Sequence, residues 1–118
     1  MPTSSKAQFR LRVRQGDKVA IGPGKVALLE AIAQTGSISA AARQQGMSYR
    51  RAWLLIDEMN HALRSPAVAT ATGGTAGGGT VLTPTGKEIV RRYRAIEQTA
   101  YQAAAQDLSE LEALLSDD

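Results

Sequence analysis

Ser48-Tyr49-Arg50-Arg51 is the segment of this 118-residue chain with the most chemistry to offer, two hydroxyls followed by two guanidinium groups. A guanidinium is a planar fork of donors that fits guanine O6 and N7 side by side, or clasps a phosphate. Arg50 and Arg51 could each take a guanine, or one could hold a phosphate instead. The hydroxyls of Ser48 and Tyr49 suit phosphates or base edges. On an ordinary helix the same arginines would be a solvated face, so their meaning depends on what positions them.

Other chemistries are poorly served. The chain has no cysteine, which removes disulfides, thiol catalysis and cysteine-based zinc sites together. His61 is the sole histidine and has no evident triad partner, so it reads as a surface helix residue. Asp57 and Glu58 are neighbours on a helix and point about 100° apart, unlike a general acid/base pair. Lys25, after Gly22-Pro23-Gly24, marks a helix start and not a nucleotide loop. No catalytic residue, metal site or cofactor is expected, and the chain reads as a non-enzyme.

The elements that must position the arginines are legible around them. Ile38 to Asp57 fits a helix-turn-helix, with Ala42 as the small residue at the helix crossing and Gly46 as the turn glycine. Met47, Ala52 and Leu55 fill inward positions, while Gln45 is less apolar than the pattern prefers. The first helix of the pair is expected from Ser39 as N-cap through Ala40 to Gln45. The second runs from Ser48 or Tyr49 to Leu63, with a core stripe of Ala52, Leu55, Ile56, Met59 and Leu63. Ser48, Tyr49, Arg50, Arg51 and Leu54 are then left outward near the N-terminus, the end that enters the major groove in such motifs. Trp53 shares a ridge with Tyr49, Ile56 and Asn60 and reads as a packing anchor in preference to a DNA contact.

Upstream, Gln8 to Val13 alternates Phe9, Leu11 and Val13 with arginines, predicting a half-buried strand that turns at Gln15-Gly16-Asp17 and returns over Lys18 to Ile21. A helix from Lys25 to Thr35 should follow, opened by Pro23 and closed by Gly36. Downstream, Val68 to Thr72 and Thr80 to Thr83 predict a hairpin whose tip, Gly73 to Gly79, holds five glycines in seven residues. Such a tip can approach a sugar-phosphate backbone closely and offers free N–H groups, although it would also serve as a plain flexible turn. The last helix should open at Thr83 to Thr85 and extend to about Leu115. Its roughly thirty residues, at ~1.5 Å each, exceed what one small core can cover. Ile89, Tyr93, Ile96, Ala100, Ala104, Leu108, Leu111 and Leu115 form one apolar seam along it, which a second copy can bury. The fold class is therefore mainly α with a small β component. Residues 1–83 form the winged helix-turn-helix domain, the motif at about 38–57 and the wing at about 68–83, and 84–118 a dimerisation helix.

Charge is divided between the halves. Residues 1–64 carry ten Lys/Arg against four Asp/Glu, and after Arg94 there are six acidic residues and no basic one. A polyanion would meet the N-terminal half. Apolar residues make up 43% of the chain, enough for one core, yet no run approaches the ~20 residues of a membrane span. No membrane association is expected, and a cytoplasmic location is.

Three segments in order, Thr35-Gly36-Ser37-Ile38-Ser39-Ala40-Ala41-Ala42, Met47 to Trp53 with Asp57 to Asn60, and Ala71 to Gly79 followed by Val81-Leu82-Thr83, resemble the N-terminal domain of the molybdate-responsive ModE regulators. More distantly the architecture is similar to LysR-type regulators. The resemblance spans about Phe9 to the last helix. It implies a winged helix-turn-helix whose first and last helices form a homodimer, and which binds an imperfect palindrome in double-stranded DNA linked to molybdenum uptake or use. The DNA-binding residues would be Ser48, Tyr49, Arg50, Arg51, Leu54 and Ser39, with Thr72, Gly73, Gly74 and Thr75 of the wing. The dimer residues would be Ala100, Ala104, Leu108, Leu111 and Leu115. Two departures stand out. Full-length members continue into molybdate-binding domains, whereas this chain ends at Asp118, either as a stand-alone homologue or as a truncated piece; molybdate is not expected to bind it. The wing tip reads Thr75-Ala76 where a basic residue is expected in some relatives, leaving contacts to amides and hydroxyls. An alternative is a coiled-coil adaptor on a winged scaffold, which would suit an acidic or apolar face better than one carrying Arg50 and Arg51.

Overall fold

A computed structural model describes residues 7–71 and 79–117. In order these form β1 (Val13–Gln15), β2 (Lys18–Ile21), α1 (Pro23–Thr35), α2 (Ile38–Gln44), α3 (Tyr49–Ala62), β3 (Val68–Ala71), β4 (Gly79–Leu82), α4 (Pro84–Ala103) and α5 (Ala105–Glu112). The strands make two antiparallel hairpins, β1 with β2 and β3 with β4.

The first hairpin is shorter than the alternation at Gln8 to Val13 predicts. Its ladder begins only at Val13, with an irregular step between Val13 and Arg14. A four-residue β2 cannot pair with a longer partner, and the segment before Val13 is held by α4 instead. The Tyr93 hydroxyl donates to the Leu11 carbonyl at 2.8 Å, and the Tyr101 hydroxyl to the Ala7 carbonyl at 3.2 Å. Phe9 packs edge-on against Tyr101, centroids 4.8 Å apart. Tyrosine hydroxyls thus meet backbone groups that a sheet neighbour would otherwise satisfy. Burial of Tyr93 raises its phenol above the usual pKa, with Glu97 adding to the shift.

Helix α1 starts with its proline in the first turn and ends at Gly36, whose left-handed φ of 71° lets its N–H reach the Ile32 carbonyl at 2.8 Å. The cap of α2 is Ser37, not Ser39: its hydroxyl accepts from Ala40 N–H at 3.1 Å. Gly36 turns the chain so that Ser37 has the extended backbone a cap requires, while Ser39 already lies inside the helix. Gly46, at φ 67°, makes the turn into α3, a conformation that costs any residue with a Cβ. Ser48 caps α3, accepting from Arg51 N–H at 3.1 Å.

The core lies where α1, α2 and α3 meet the inner face of β3 and β4. Leu28, Leu29, Ile32 and Met59 are fully buried there, each stabilising the fold by about 1.5–3 kcal/mol. Ala41, Ala42 and Ala52 are buried between the helices, where larger side chains would hold them apart. Of the expected α3 stripe, Ala52, Ile56 and Met59 are buried, with Leu55 and Leu63 half-buried at its edges.

Polar clamps orient the second hairpin. Thr80 N–H donates to the Gly36 carbonyl at 3.0 Å. The Asn60 side chain accepts from Ala67 N–H at 2.8 Å and donates to the Val68 carbonyl at 3.3 Å. At the start of α4, Thr83 caps the helix by accepting from Gly86 N–H and donates its own hydroxyl to the Pro66 carbonyl at 2.6 Å.

The C-terminal region departs from one continuous helix. It breaks at Ala104, where ψ moves to 5°, giving α4 of 20 residues and α5 of 8. The break falls in the run Ala103-Ala104-Ala105, residues of high helix propensity, so no local preference accounts for it. Helix α4 is tied to α1 by Arg94, whose guanidinium meets the Glu30 carboxylate at 2.6 and 2.8 Å and Glu97 at 2.6 Å. Pairing with Glu30 first, and with Glu97, holds the Arg94 proton more tightly than usual. Among the described residues no helix is long and apolar enough to cross a membrane.

Candidate nucleic-acid interface

Helix α3 is gripped along one side and free along the other. With Ala52, Ile56 and Met59 buried against α1 and α2, the 100° step per residue turns Arg50 and Leu54 directly outward. Ser48, Tyr49, Arg50 and Arg51 are all exposed, as is Ser39 on α2. Ser48 carries out its cap with the oxygen as acceptor, which leaves the hydroxyl proton available to an anionic oxygen. The first turns of α3 therefore present hydroxyls, guanidiniums and the positive end of the helix dipole together.

Ion pairing distinguishes these two cations from Lys25 and from the arginines of α4. Arg91 and Arg92 are both bound to Glu88, and Arg94 to Glu30 and Glu97. Lys25 lies 3.5 Å from Glu58. Among the described residues neither Arg50 nor Arg51 has an ion-pair partner. A free guanidinium on a convex surface keeps its long-range attraction for a polyanion, whereas a paired one largely cancels.

A second cationic element lies beside them. An open groove of about 920 Å³ separates the β1–β2 hairpin from α3, and Arg10, Arg12, Lys18 and Arg51 line it together with Asp57 and Glu58. Sequence reasoning left Arg12 and Lys18 on a strand unconnected to α3; only the charge excess of the N-terminal half pointed to them.

Trp53 is a correction. The expected packing anchor is 47% exposed, beside Tyr49 at 55% and Leu54 at 44%. The inner side of α3 is filled by Ala52, Ile56 and Met59, so an indole on the adjoining ridge finds no pocket. Thr72, Gly73, Gly74 and Thr75, expected at the wing tip, lie outside the described residues; the strands that carry the tip pair in register from Val68 with Leu82 to Ala71 with Gly79. His61 is a surface residue, its Nδ1 2.8 Å from the Asp57 carbonyl. Among the described residues no group of three or more His, Cys, Asp or Glu could hold a metal ion.

The proposed dimer residues are divided by the break at Ala104. Ala100, Ala104 and Leu108 are half-buried within the chain, whereas Leu111 is 63% and Leu115 57% exposed. Ile96, expected to pack on the domain, is half-exposed as well.

Residues 24–87 match the family described as bacterial regulatory helix-turn-helix protein, lysR family. The molybdenum-pterin-binding protein MopB of Rhodobacter capsulatus is 54% identical over 77 residues, 65% of this chain and 28% of that protein. The molybdenum transport protein ModE of Azotobacter vinelandii is 41% identical over 108 residues, 92% of this chain and 40% of that protein. The DNA-binding transcriptional dual regulator ModE of Escherichia coli K12 is 38% identical over 105 residues, again 40% of its length. The chain thus spans less than half of each of these relatives. In fold it is similar to the crystal structure of a MarR family transcription regulator, with a TM-score of 0.51 at 20% identity, covering 79% of this chain and 72% of the other.

Proposed function

The chain belongs to the lysR family of bacterial regulatory helix-turn-helix proteins and carries a ModE-like N-terminal DNA-binding domain, and from that premise we propose that it is a cytoplasmic transcription regulator without catalytic function. It binds duplex DNA by laying the N-terminal turns of α3 in the major groove, with Ser48, Tyr49, Arg50, Arg51 and Leu54 against bases and phosphates and Ser39 on the flanking backbone. The tip between β3 and β4, Thr72 to Thr75 included, reaches the neighbouring backbone as a wing. The observation that carries this reading is the unpaired state of Arg50 and Arg51 at a capped, outward-facing helix N-terminus, in a chain whose α4 arginines are all paired with glutamates.

Two copies bind a palindromic operator. The support is the apolar surface at Leu111, Leu114 and Leu115, which one copy leaves in water. A two-fold axis would place the two α3 helices about one DNA turn, ~34 Å, apart. The molybdenum relations named for the relatives point to operators of genes for molybdenum uptake or use. Molybdate itself is not assigned to this chain.

Selection of duplexes from a random pool, followed by binding at fixed salt, tests the proposal. Arg50→Ala or Arg51→Ala should weaken the selected site by about 1–3 kcal/mol and relax preference at one position. If both variants kept the wild-type ratio of specific to random affinity, base reading by α3 would be wrong.

A further inference from the structure

Within α1, α2 and α3 the large apolar side chains left exposed are three, Tyr49, Trp53 and Leu54, all on α3, and Leu54 stands on its outward face between the free arginines Arg50 and Arg51. Positions four apart on a helix are neighbours, so α3 presents two rows, Arg50 with Leu54 and Tyr49 with Trp53. Arg50 and Leu54 thus set a guanidinium beside an isobutyl group on one exposed face. Buried together, the two need a partner that offers an anion or acceptor fork next to a small apolar group. The major groove does: guanine supplies O6 and N7, and its apolar group is the C5-methyl of thymine.

We propose that Leu54, with Trp53 alongside, is a thymine-reading contact of this protein, packing on a C5-methyl near the base taken by Arg50. This rests on α3 entering the major groove. Helix geometry bounds the spacing: four residues rise ~6 Å along α3, and base pairs are ~3.4 Å apart along the duplex axis, so the thymine lies within about two base pairs of the Arg50 position. The occupant is duplex DNA and not an apolar protein face because the unpaired Arg50 and Arg51 stand on either side of Leu54, and burying them against such a face would leave two charges uncompensated.

Deoxyuridine in place of thymine removes the methyl and nothing else from the base edge. In the duplex selected by the intact chain, each thymine is replaced in turn, and binding of wild type, Leu54→Ala, Leu54→Met and Arg50→Ala is measured by fluorescence anisotropy. At one thymine, within about two base pairs of the guanine on which Arg50 acts, wild type should lose about fourfold in affinity, the worth of one buried methyl. Leu54→Ala should bind both duplexes equally, which also cancels any effect of the methyl on DNA stiffness. Leu54→Met and Arg50→Ala should keep the methyl dependence, the second from a weaker baseline. Wild type indifferent to every thymine methyl, or Leu54→Ala losing as much as wild type, overturns the inference while leaving DNA binding by α3 in place. Wild type that binds no duplex at all overturns the reading of α3, and this inference with it.

Discussion

Replacing Gly86 by alanine sets two physical effects against each other. Gly86 sits in the first turn of α4, where alanine ordinarily strengthens a helix by about 1 kcal/mol relative to glycine. Here a Cβ would stand 2.2 Å from the Ala67 carbonyl oxygen and 3.1 Å from its carbon, both backbone atoms that no rotamer change can move. Ordinary contact needs more than 1 Å of separation between α4 and the chain entering β3. That shift strains the bonds joining them, Thr83 N–H to the Ala67 carbonyl at 2.9 Å and the Thr83 hydroxyl to the Pro66 carbonyl at 2.6 Å. Overpacking costs about 1–3 kcal/mol and each of the two bonds lost about 1 kcal/mol, so after the gain of about 1 kcal/mol in propensity the net loss is about 2–4 kcal/mol. At about 4 °C per kcal/mol for a chain of this size, the melting temperature should fall by roughly 8–16 °C. Thermal unfolding followed by circular dichroism, at one protein concentration throughout, measures it. Gly24→Ala is the control, since its Cβ would meet nothing within 4 Å in α1 and should be neutral or mildly stabilising. A Gly86→Ala protein as stable as wild type, or more so, would show that helix propensity decides and that the close approach to Ala67 is not there.

Two further outcomes are expected. The Glu88 carboxyl should titrate below its ordinary 4.5, because it accepts hydrogen bonds from Arg91 and from Arg92; with the folded pKa lowered, its contribution is present above the unfolded value and disappears as pH falls through the folded one. Carboxyl NMR should see the midpoint rise in Arg91→Gln, and a wild-type midpoint at 4.5 or above would mean the pairs do not form in solution. Light scattering at micromolar concentration should give a dimer mass, and Leu108→Asp with Leu111→Asp should halve it; a wild-type monomer would defeat the dimer proposal, and a folded double variant that stays dimeric would move the interface elsewhere.

Most of the helix-turn-helix was legible because its determinants are local. Gly36 and Gly46 need left-handed backbone, Pro23 opens a helix, and the apolar spacing of α3 has the helical period. Each depends on residues within one or two turns of itself. The outward position of Ser48, Tyr49, Arg50, Arg51 and Leu54 follows from the same period once Ala52, Ile56 and Met59 turn inward.

What sequence reasoning placed differently depended on partners distant in the chain. Alternation at Gln8 to Val13 is a strand signal, but alternation cannot say that β2 is too short to pair with it or that Tyr93 and Tyr101 will take its carbonyls. Trp53 has the composition of an anchor, and whether an anchor finds a pocket depends on which neighbours fill the core first. The continuous seam beyond Ile89 contains no proline or glycine, so nothing local announces the break at Ala104. Charge shows the same division. The amino-acid sequence by itself determined that cations collect in the first half of the chain and that a helix start carries two of them. Only the tertiary structure decided that the arginines of α4 are held by Glu30, Glu88 and Glu97 while Arg50 and Arg51 remain unpaired. An ion pair of Arg94 with Glu30 joins residues 64 apart in the sequence, a separation across which composition and periodicity carry no information.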